Sequence, residues 1–507
     1  MTLKIKQKLD NKIYDLNRLK FQNVVLHTYV IMNIPLFLVV IFLTLIFIFK
    51  IYWKKFGDIH KIPGPSIFDF IKHVYFNKSS QGVIKYFQTL NKKYGPVVKI
   101  WMHPLKPIII TTDMEYVNKI YKANDHRITP CFSEITFLRK GFTVTPHYDI
   151  WKHDKHLIMK TFDKEYISNK LKKYEKKYDE LINKIHKNQG TPIDLQEAFN
   201  EMFIEIIMRS LNDSNIELTD KEIKDYLNYR TIYFDLLLEK MNSLHMVGFL
   251  HKFTKNYKLL MEYGEKIVQF GQIWLKKLQN VDEKLRDQTN VVYAMLNGGI
   301  PFERVVDNMS VLIQGGHDTG IFPLSLALQE IAKNVELQEN ILNEILSVLG
   351  PDKTSITLDD INKMYYIQAV MKESLRRYHS LPFLDRKLLY DMTIKNVKIP
   401  KDTIVMFNFP GIMTSEENYE DPLKFKPERF LKGNVTSKAH KGFIGFGYGV
   451  KICAGKHLAT AATKLLIIKL IREFQIIPLE NDHEMEITCD LLFRSLNGIP
   501  IIFHKRK

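Results

Sequence analysis

Cysteine is nearly absent from this chain: Cys131, Cys453 and Cys489 are the only three in 507 residues. An odd, sparse set excludes a disulfide framework and points to a reducing compartment for the body of the chain. There is no repeat, no low-complexity tract and no linker-like stretch that would cut the long second part in two. Acidic residues are outnumbered 56 to 73, leaving a formal net charge of +17. No Arg/Lys-rich tail or nucleic-acid motif accompanies that excess, so nucleic acid is excluded as a partner. Solvated lysine faces, an anionic membrane or an acidic protein remain. What the chain does have is apolar: 45% hydrophobic residues, 12% aromatic. That supplies a substantial core and excludes wholesale disorder.

Residues 29–49 form an apolar run interrupted only by Asn33, Pro35 and Thr44. It has roughly the 20-residue length of a bilayer helix. Tyr29, Tyr52 and Trp53 stand at its ends, where amphipathic rings favour the interface. No small-residue cleavage site follows, so an uncleaved anchor is expected rather than a signal peptide. Basic residues precede it (Lys4 to Lys20) and follow it (Lys50, Lys54, Lys55), so charge alone leaves its orientation open. Met32 is an alternative start that removes the conflict. Pro63-Gly64-Pro65 cannot continue a helix and reads as an elbow. The expected organisation is a basic extension over 1–28, a membrane anchor over 29–53, a linker and hinge over 54–65, and one large domain over 66–507.

Within that domain, Val97–Trp101 and Ile108–Thr111 read as a strand pair turning at Pro104. From Glu165 to Leu375 the apolar spacing is mostly helical. Short strand-like pieces return at Met392–Ile399 and Thr403–Phe407. A further helix follows Cys453. The expected class is mainly α with small β-sheets.

The strongest local signal runs from Phe446 to Gly455: Phe446-Gly447-Tyr448-Gly449-Val450-Lys451-Ile452-Cys453-Ala454-Gly455. Gly449 and Gly455 let backbone pass close to the sulfur, and backbone N–H groups can then point at it. The helix beginning near Lys456 places its positive end beside the thiol, which favours thiolate. Phe446 can shield the sulfur from water. This Phe-x-x-Gly-x-x-x-Cys-x-Gly frame resembles the cytochrome P-450 superfamily. The resemblance implies the superfamily's mostly helical fold, behind a single transmembrane helix here. It implies haem b (iron protoporphyrin IX) with Cys453 as axial iron ligand, whose thiolate favours O–O cleavage. Lys451 stands where the family usually has an Arg contacting a haem propionate. It keeps the charge and loses the bidentate fork.

Three further motifs agree. Glu373-Ser374-Leu375-Arg376 alone would be an ordinary ion pair on a helix surface. Together with Arg429 it resembles the family's buried charge network, a device of core assembly. Arg386, after Pro382, stands where the family places a propionate Arg. Trp151-Lys152-His153-Asp154-Lys155 resembles the family's Trp-x-x-x-Arg, again with Lys155 for Arg, so a looser propionate clamp is implied.

Val311 to Ile331 reads as an apolar helix carrying Gly315, Gly316 and Gly320, with Pro323 removing the donor for the Thr319 carbonyl. The ladder is expected to open around Gly316–Thr319. The segment resembles the family's Gly-x-Asp/Glu-Thr signature. By that resemblance Thr319 serves oxygen at the haem face and Asp318 feeds it protons. His317 is expected to be packed. The wording looks closest to the fatty-acid ω-hydroxylase branch, but Gly315 replaces the Glu that esterifies haem in many members there.

The resemblance implies a monooxygenase acting on a small hydrophobic substrate (lipid, sterol, terpenoid or xenobiotic) with O2. Electrons would come from NADPH through cytochrome P-450 reductase, with cytochrome b5 as a further donor. The implied location is the endoplasmic reticulum membrane, single-pass, catalytic domain in the cytosol. Sequons at Asn77, Asn212, Asn308 and Asn434 would then be irrelevant. Two alternatives stay open: a haem-thiolate isomerase or dehydratase acting on oxygenated lipids, and a non-catalytic haem-binding membrane protein. Ile128–Tyr148 and Phe234–Phe253 are apolar, aromatic-containing stretches that read equally as the lining or gate of a pocket and as ordinary core or membrane-facing surface.

Overall fold

The computed structural model describes residues 39–51, 54, 56–73, 82–103, 106–122, 135–213, 215–216, 218–241, 250–479, 485–489 and 492–506. The chain divides into a short unit, Met1–Lys61, and a large one, Ile62–Lys507. Within the short unit, residues 39–51 are helical and expose their apolar side chains, Phe42 and Phe47 most of all. The basic extension and the first part of the expected anchor lie outside the described residues. Among the described residues no helix is long and apolar enough to cross a membrane. The transmembrane helix expected ahead of the fold is therefore not seen there.

The large unit is mainly helical with small sheets. Its helices of eight or more residues are α1 (Gly82–Tyr94), α2 (Met114–Lys122), α3 (Tyr148–Thr161), α4 (Lys164–Lys187), α5 (Leu195–Leu211), α6 (Asp220–Met241), α7 (Lys255–Gln279), α8 (Phe302–Lys333), α9 (Val335–Leu349), α10 (Tyr365–Arg377) and α11 (Lys456–Glu473). Their starts follow from short polar residues that satisfy orphan amides. Asp163 accepts from Tyr166 N, Thr254 from Tyr257 N and Asn334 from Leu337 N.

Strands β1 (Val97–His103) and β2 (Lys106–Thr111) form the expected antiparallel pair. Pro104 lies outside the described residues. β3 is Ile193–Asp194, β4 Phe383–Lys387, β5 Met392–Ile394, β6 Val397–Ile399 and β7 Ile404–Asn408. β7 pairs parallel with β2 and antiparallel with β4, giving the order β1-β2-β7-β4. β5 and β6 form a hairpin whose turn residues Lys395 and Asn396 both have positive φ, the twist-matched geometry of two-residue turns. Pro63-Gly64-Pro65 lies against β1. Lys99 N donates to the Pro63 carbonyl, and a Cβ on Gly64 would come within 2.0 Å of the Lys99 oxygen, so only glycine fits that approach.

α8 organises the interior. It packs against α5, α7 and α10. Its first half, through Val305, Met309 and Ile313, belongs to a core shared with α3, α6 and α7. Its second half, from Ile321 to Ala332, belongs to another core with α4, α5, α9, α10 and α11. Gly315 to Gly320 therefore falls on the seam between two hydrophobic cores. Two sequons are structural: buried Asn212 accepts from the Trp274 indole, and buried Asn308 accepts from Phe142 N and donates to Asp154.

Candidate active site

The loop before α11 is shaped by glycine where only glycine is comfortable. Gly447 (φ 81°) and Gly449 (φ 62°) take left-handed backbone. Cys453 N donates to the Phe446 carbonyl at 2.9 Å, which closes the loop and brings Phe446 beside the cysteine. Gly455 caps α11, and a Cβ placed on it would lie 3.9 Å from Cys453 Sγ, an ordinary contact. The sulfur by itself thus leaves room for a Cβ at 455. Cys453 is exposed, yet the protein around it desolvates the sulfur enough to push its thiol pKa up. The amides of Gly455 and Lys456 and the charges of Lys155 and Lys456 pull it down. The expected lowering at the helix start is present, but desolvation outweighs it.

Two lysines meet this loop. Lys155 on α3 is buried, and its Nζ donates to the carbonyls of Val450 (2.8 Å) and Ile452 (2.9 Å). Lys451 Nζ lies 3.6 Å from the centre of the buried Trp151 ring, a cation–π contact.

Arg386 is buried on β4. It donates to its neighbour's carbonyl and to Tyr121 Oη, but its Nε has no hydrogen-bond partner. A buried guanidinium with an unmet donor suits a carboxylate. Together with the Cys453 thiol, it fits a haem b, whose iron Cys453 would hold and whose propionate Arg386 would meet.

Glu373, Arg376 and Arg429 come together. Arg376 is fully buried and grips Glu373 through Nε (2.7 Å) and Nη2 (2.8 Å). Its Nη1 donates to the Met413 and Pro422 carbonyls, and Arg429 Nε reaches Glu373 at 3.2 Å. His379, at the end of α10, links this region to the cysteine loop. Its Nδ1 lies 2.9 Å from the Leu381 carbonyl and 3.0 Å from Leu381 N, and its Nε2 lies 3.1 Å from the Gly445 carbonyl. Burial holds its pKa below the ordinary value.

On α8 the expected opening does not occur: the helix is continuous from Phe302 to Lys333. Thr319 Oγ1 donates to the Gly315 carbonyl at 2.6 Å. The Thr319 carbonyl, left without a donor by Pro323, receives the Ser380 hydroxyl instead. Side chains have replaced the missing backbone bond.

Thr319, Asp318 and Gly315 line a cavity of about 380 Å³, whose apolar wall includes Val311, Phe234 and Phe493. Of the two apolar, aromatic-containing stretches, the described parts contribute Ile135, Leu138, Thr143, Phe234 and Asp235. Cys453 does not line it. Asp318 is engaged on every side. Arg230 from α6 pairs with Oδ2, Gln314 donates to the same oxygen, and His317 Nδ1 stands 2.9 Å from Oδ1. Arg230 Nε returns to Gln314 Oε1 at 3.1 Å, closing a ring of three side chains. Burial alone would raise the Asp318 pKa, but Arg230 and His317 hold it well below the usual carboxylate range. His317 is packed as expected, its Nε2 donating to the Asn200 carbonyl. Arg230, Gln314, His379 and Ser380 were not legible as site residues. Arg230 is 88 residues from its partner and carries no motif.

Comparison with known proteins shows the family. The Cytochrome P450 family model matches residues 62–500. Cytochrome P450 3A18 of Rattus norvegicus is 24% identical over 89% of this chain and 94% of its own length. Probable cytochrome P450 4ac1 of Drosophila melanogaster is 22% identical over 89% and 88%. Cytochrome P450 4V2 of Rattus norvegicus is 24% identical over 90% and 92%. Relatives of the 3A and 4 types stand at similar identity.

Proposed function

Because the chain belongs to the cytochrome P450 family and is a haem-thiolate monooxygenase, we propose that Cys453 is its iron ligand, that Thr319 and Asp318 serve its oxygen chemistry, and that its substrate is a hydrophobic molecule bound against α8. The haem, when bound, supplies the reductive activation of O2 and the insertion of one oxygen atom. The chain's own residues bind, orient and move protons. The observation that carries the assignment is the Cys453 loop, closed by the Cys453 N–H on the Phe446 carbonyl and turned by Gly447 and Gly449, with the amides of Gly455 and Lys456 favouring the ionised form of an exposed sulfur. Such amides tune a bound thiolate.

Arg386, Trp151 and Lys451 would hold the propionate side. The Arg386 Nε–H is the unmet donor there. Phe446 covers the sulfur, and Gly449 shapes the turn that presents it. Glu373, Arg376 and Arg429 hold the loop's foundation. The apolar part of the cavity's wall accepts hydrocarbon, beside polar groups such as Glu197, Asn200 and Arg494, which suits a lipid, sterol, terpenoid or xenobiotic. Thr319 Oγ1, now donating to the Gly315 carbonyl, can turn its proton to the cavity. Asp318 can pass solvent protons only after exchanging its bond to Arg230, since a carboxylate so paired stays ionised.

Electrons reach the site from NADPH through a flavoprotein reductase, with cytochrome b5 as an accessory donor, on the face carrying Lys451 and Lys456. The apolar run over 29–49, whose described part exposes its side chains, anchors the chain in the endoplasmic reticulum membrane. The test is the carbon monoxide difference spectrum of the reduced protein expressed with haem. A strongly red-shifted Soret band, lost in Cys453→Ser, supports thiolate ligation. A band of the His-ligated or protonated-thiol kind in folded wild-type protein rejects it.

A further inference from the structure

The two lysines interlock the cysteine loop with α3. Lys155 Nζ takes the carbonyls of Val450 and Ile452, one on each side of Lys451 and both within three residues of Cys453. Lys451 reaches the opposite way and lays its ammonium on Trp151, one helical turn before Lys155. Trp151 and Lys155 share a face of α3 through their four-residue spacing. Lys155 is 7% exposed, so carbonyl dipoles rather than water compensate its charge. Charge-assisted bonds of this length are the strong kind.

We infer that Lys155 is a positioning residue for Cys453, fastening the cysteine loop to α3 through the Val450 and Ile452 carbonyls and so setting the place of the sulfur. It does not act as the propionate clamp that its place in the sequence implies. A compact ammonium with three rotatable donors suits two separate carbonyls. A guanidinium aims its paired N–H groups in one plane, toward a carboxylate. Lysine at 155 therefore matches the partner found there. The inference rests on the proposed ligation by Cys453.

The test uses the full chain expressed with haem, as wild type, Lys155→Met and Lys155→Gln. Two readouts are taken: the thiolate share of the reduced carbon monoxide spectrum, and resonance Raman bands of the iron–sulfur stretch and of propionate bending. In Lys155→Met the thiolate-to-thiol ratio falls at least about fivefold, the change one ordinary hydrogen bond makes in an equilibrium. The iron–sulfur stretch moves with it, while the propionate bands stay. Should that variant bind no haem, Lys155→Gln, which keeps a neutral donor for one carbonyl, is read by the same bands. Shifted propionate bands with an unchanged thiolate share overturn the inference, as do two unchanged readouts. A wild type without the thiolate band removes the Cys453 assignment itself, which is a separate failure.

Discussion

Asp318 shares one carboxylate oxygen between Arg230 and Gln314, and what it can do follows from that. Its depressed pKa means the ion pair stabilises the fold above the ordinary carboxylate value, and that stability is lost as pH falls through the lower folded value. Removing one partner of a buried pair leaves an uncompensated charge. Arg230→Gln is therefore expected to cost about 3 kcal/mol near neutrality. The cost shrinks on acidification, as the lone carboxylate takes a proton. Denaturant unfolding at several pH values measures this. The Arg230→Gln/Asp318→Asn double variant recovers most of the loss, because neither charge is then left alone. At Thr319 the prediction is chemical. Thr319→Ala keeps haem, but product formed per NADPH falls about a hundredfold, the lower end of the usual range for a lost proton-transfer group. Unchanged coupling would remove Thr319 from the reaction.

Two elements depend on side chains from elsewhere to stay regular. At Pro323 the ladder of α8 lacks one backbone bond, and Ser380 supplies the donor that proline lacks. Ser380→Ala leaves the Thr319 carbonyl unmet, at a cost of about 1–3 kcal/mol. The helix then opens around Gly316–Thr319, and amide hydrogen exchange there should speed up ahead of the rest of α8. The end of α10 is the second case. Arg376 is fully buried, with every donor set on Glu373 or on the Met413, Pro422 and Lys424 carbonyls. Arg376→Ala strips the segment below the cysteine loop of its anchor. That variant is expected to carry no haem when purified, with a destabilisation of several kcal/mol. Normal haem content would confine the network to a lesser role.

At the scale of the molecule, the seam between the two hydrophobic cores places Gly315 to Gly320 where packing is interrupted and a cavity can exist. Deleting residues 1–53 should leave this large unit, and with it the haem spectrum, intact. The chain should then move from the membrane fraction to the supernatant, which sedimentation after expression would show. Retention on membranes would assign binding to another surface of the large unit.

Local patterns made much of this protein legible in advance. Cys453 with its glycines, Thr319 beside Asp318, the Glu373–Arg376 pair and the helical and strand periodicities all act over a few residues, where spacing on one element dictates which groups meet. Long-range pairing could not be read that way. Nothing near Lys155 announces that its ammonium serves two carbonyls some 300 residues on, and nothing near Arg230 or Ser380 announces their partners on α8. A buried donor takes whichever acceptor the packed chain brings to it. The motif therefore named the residue types, and the tertiary fold decided whom each of them holds.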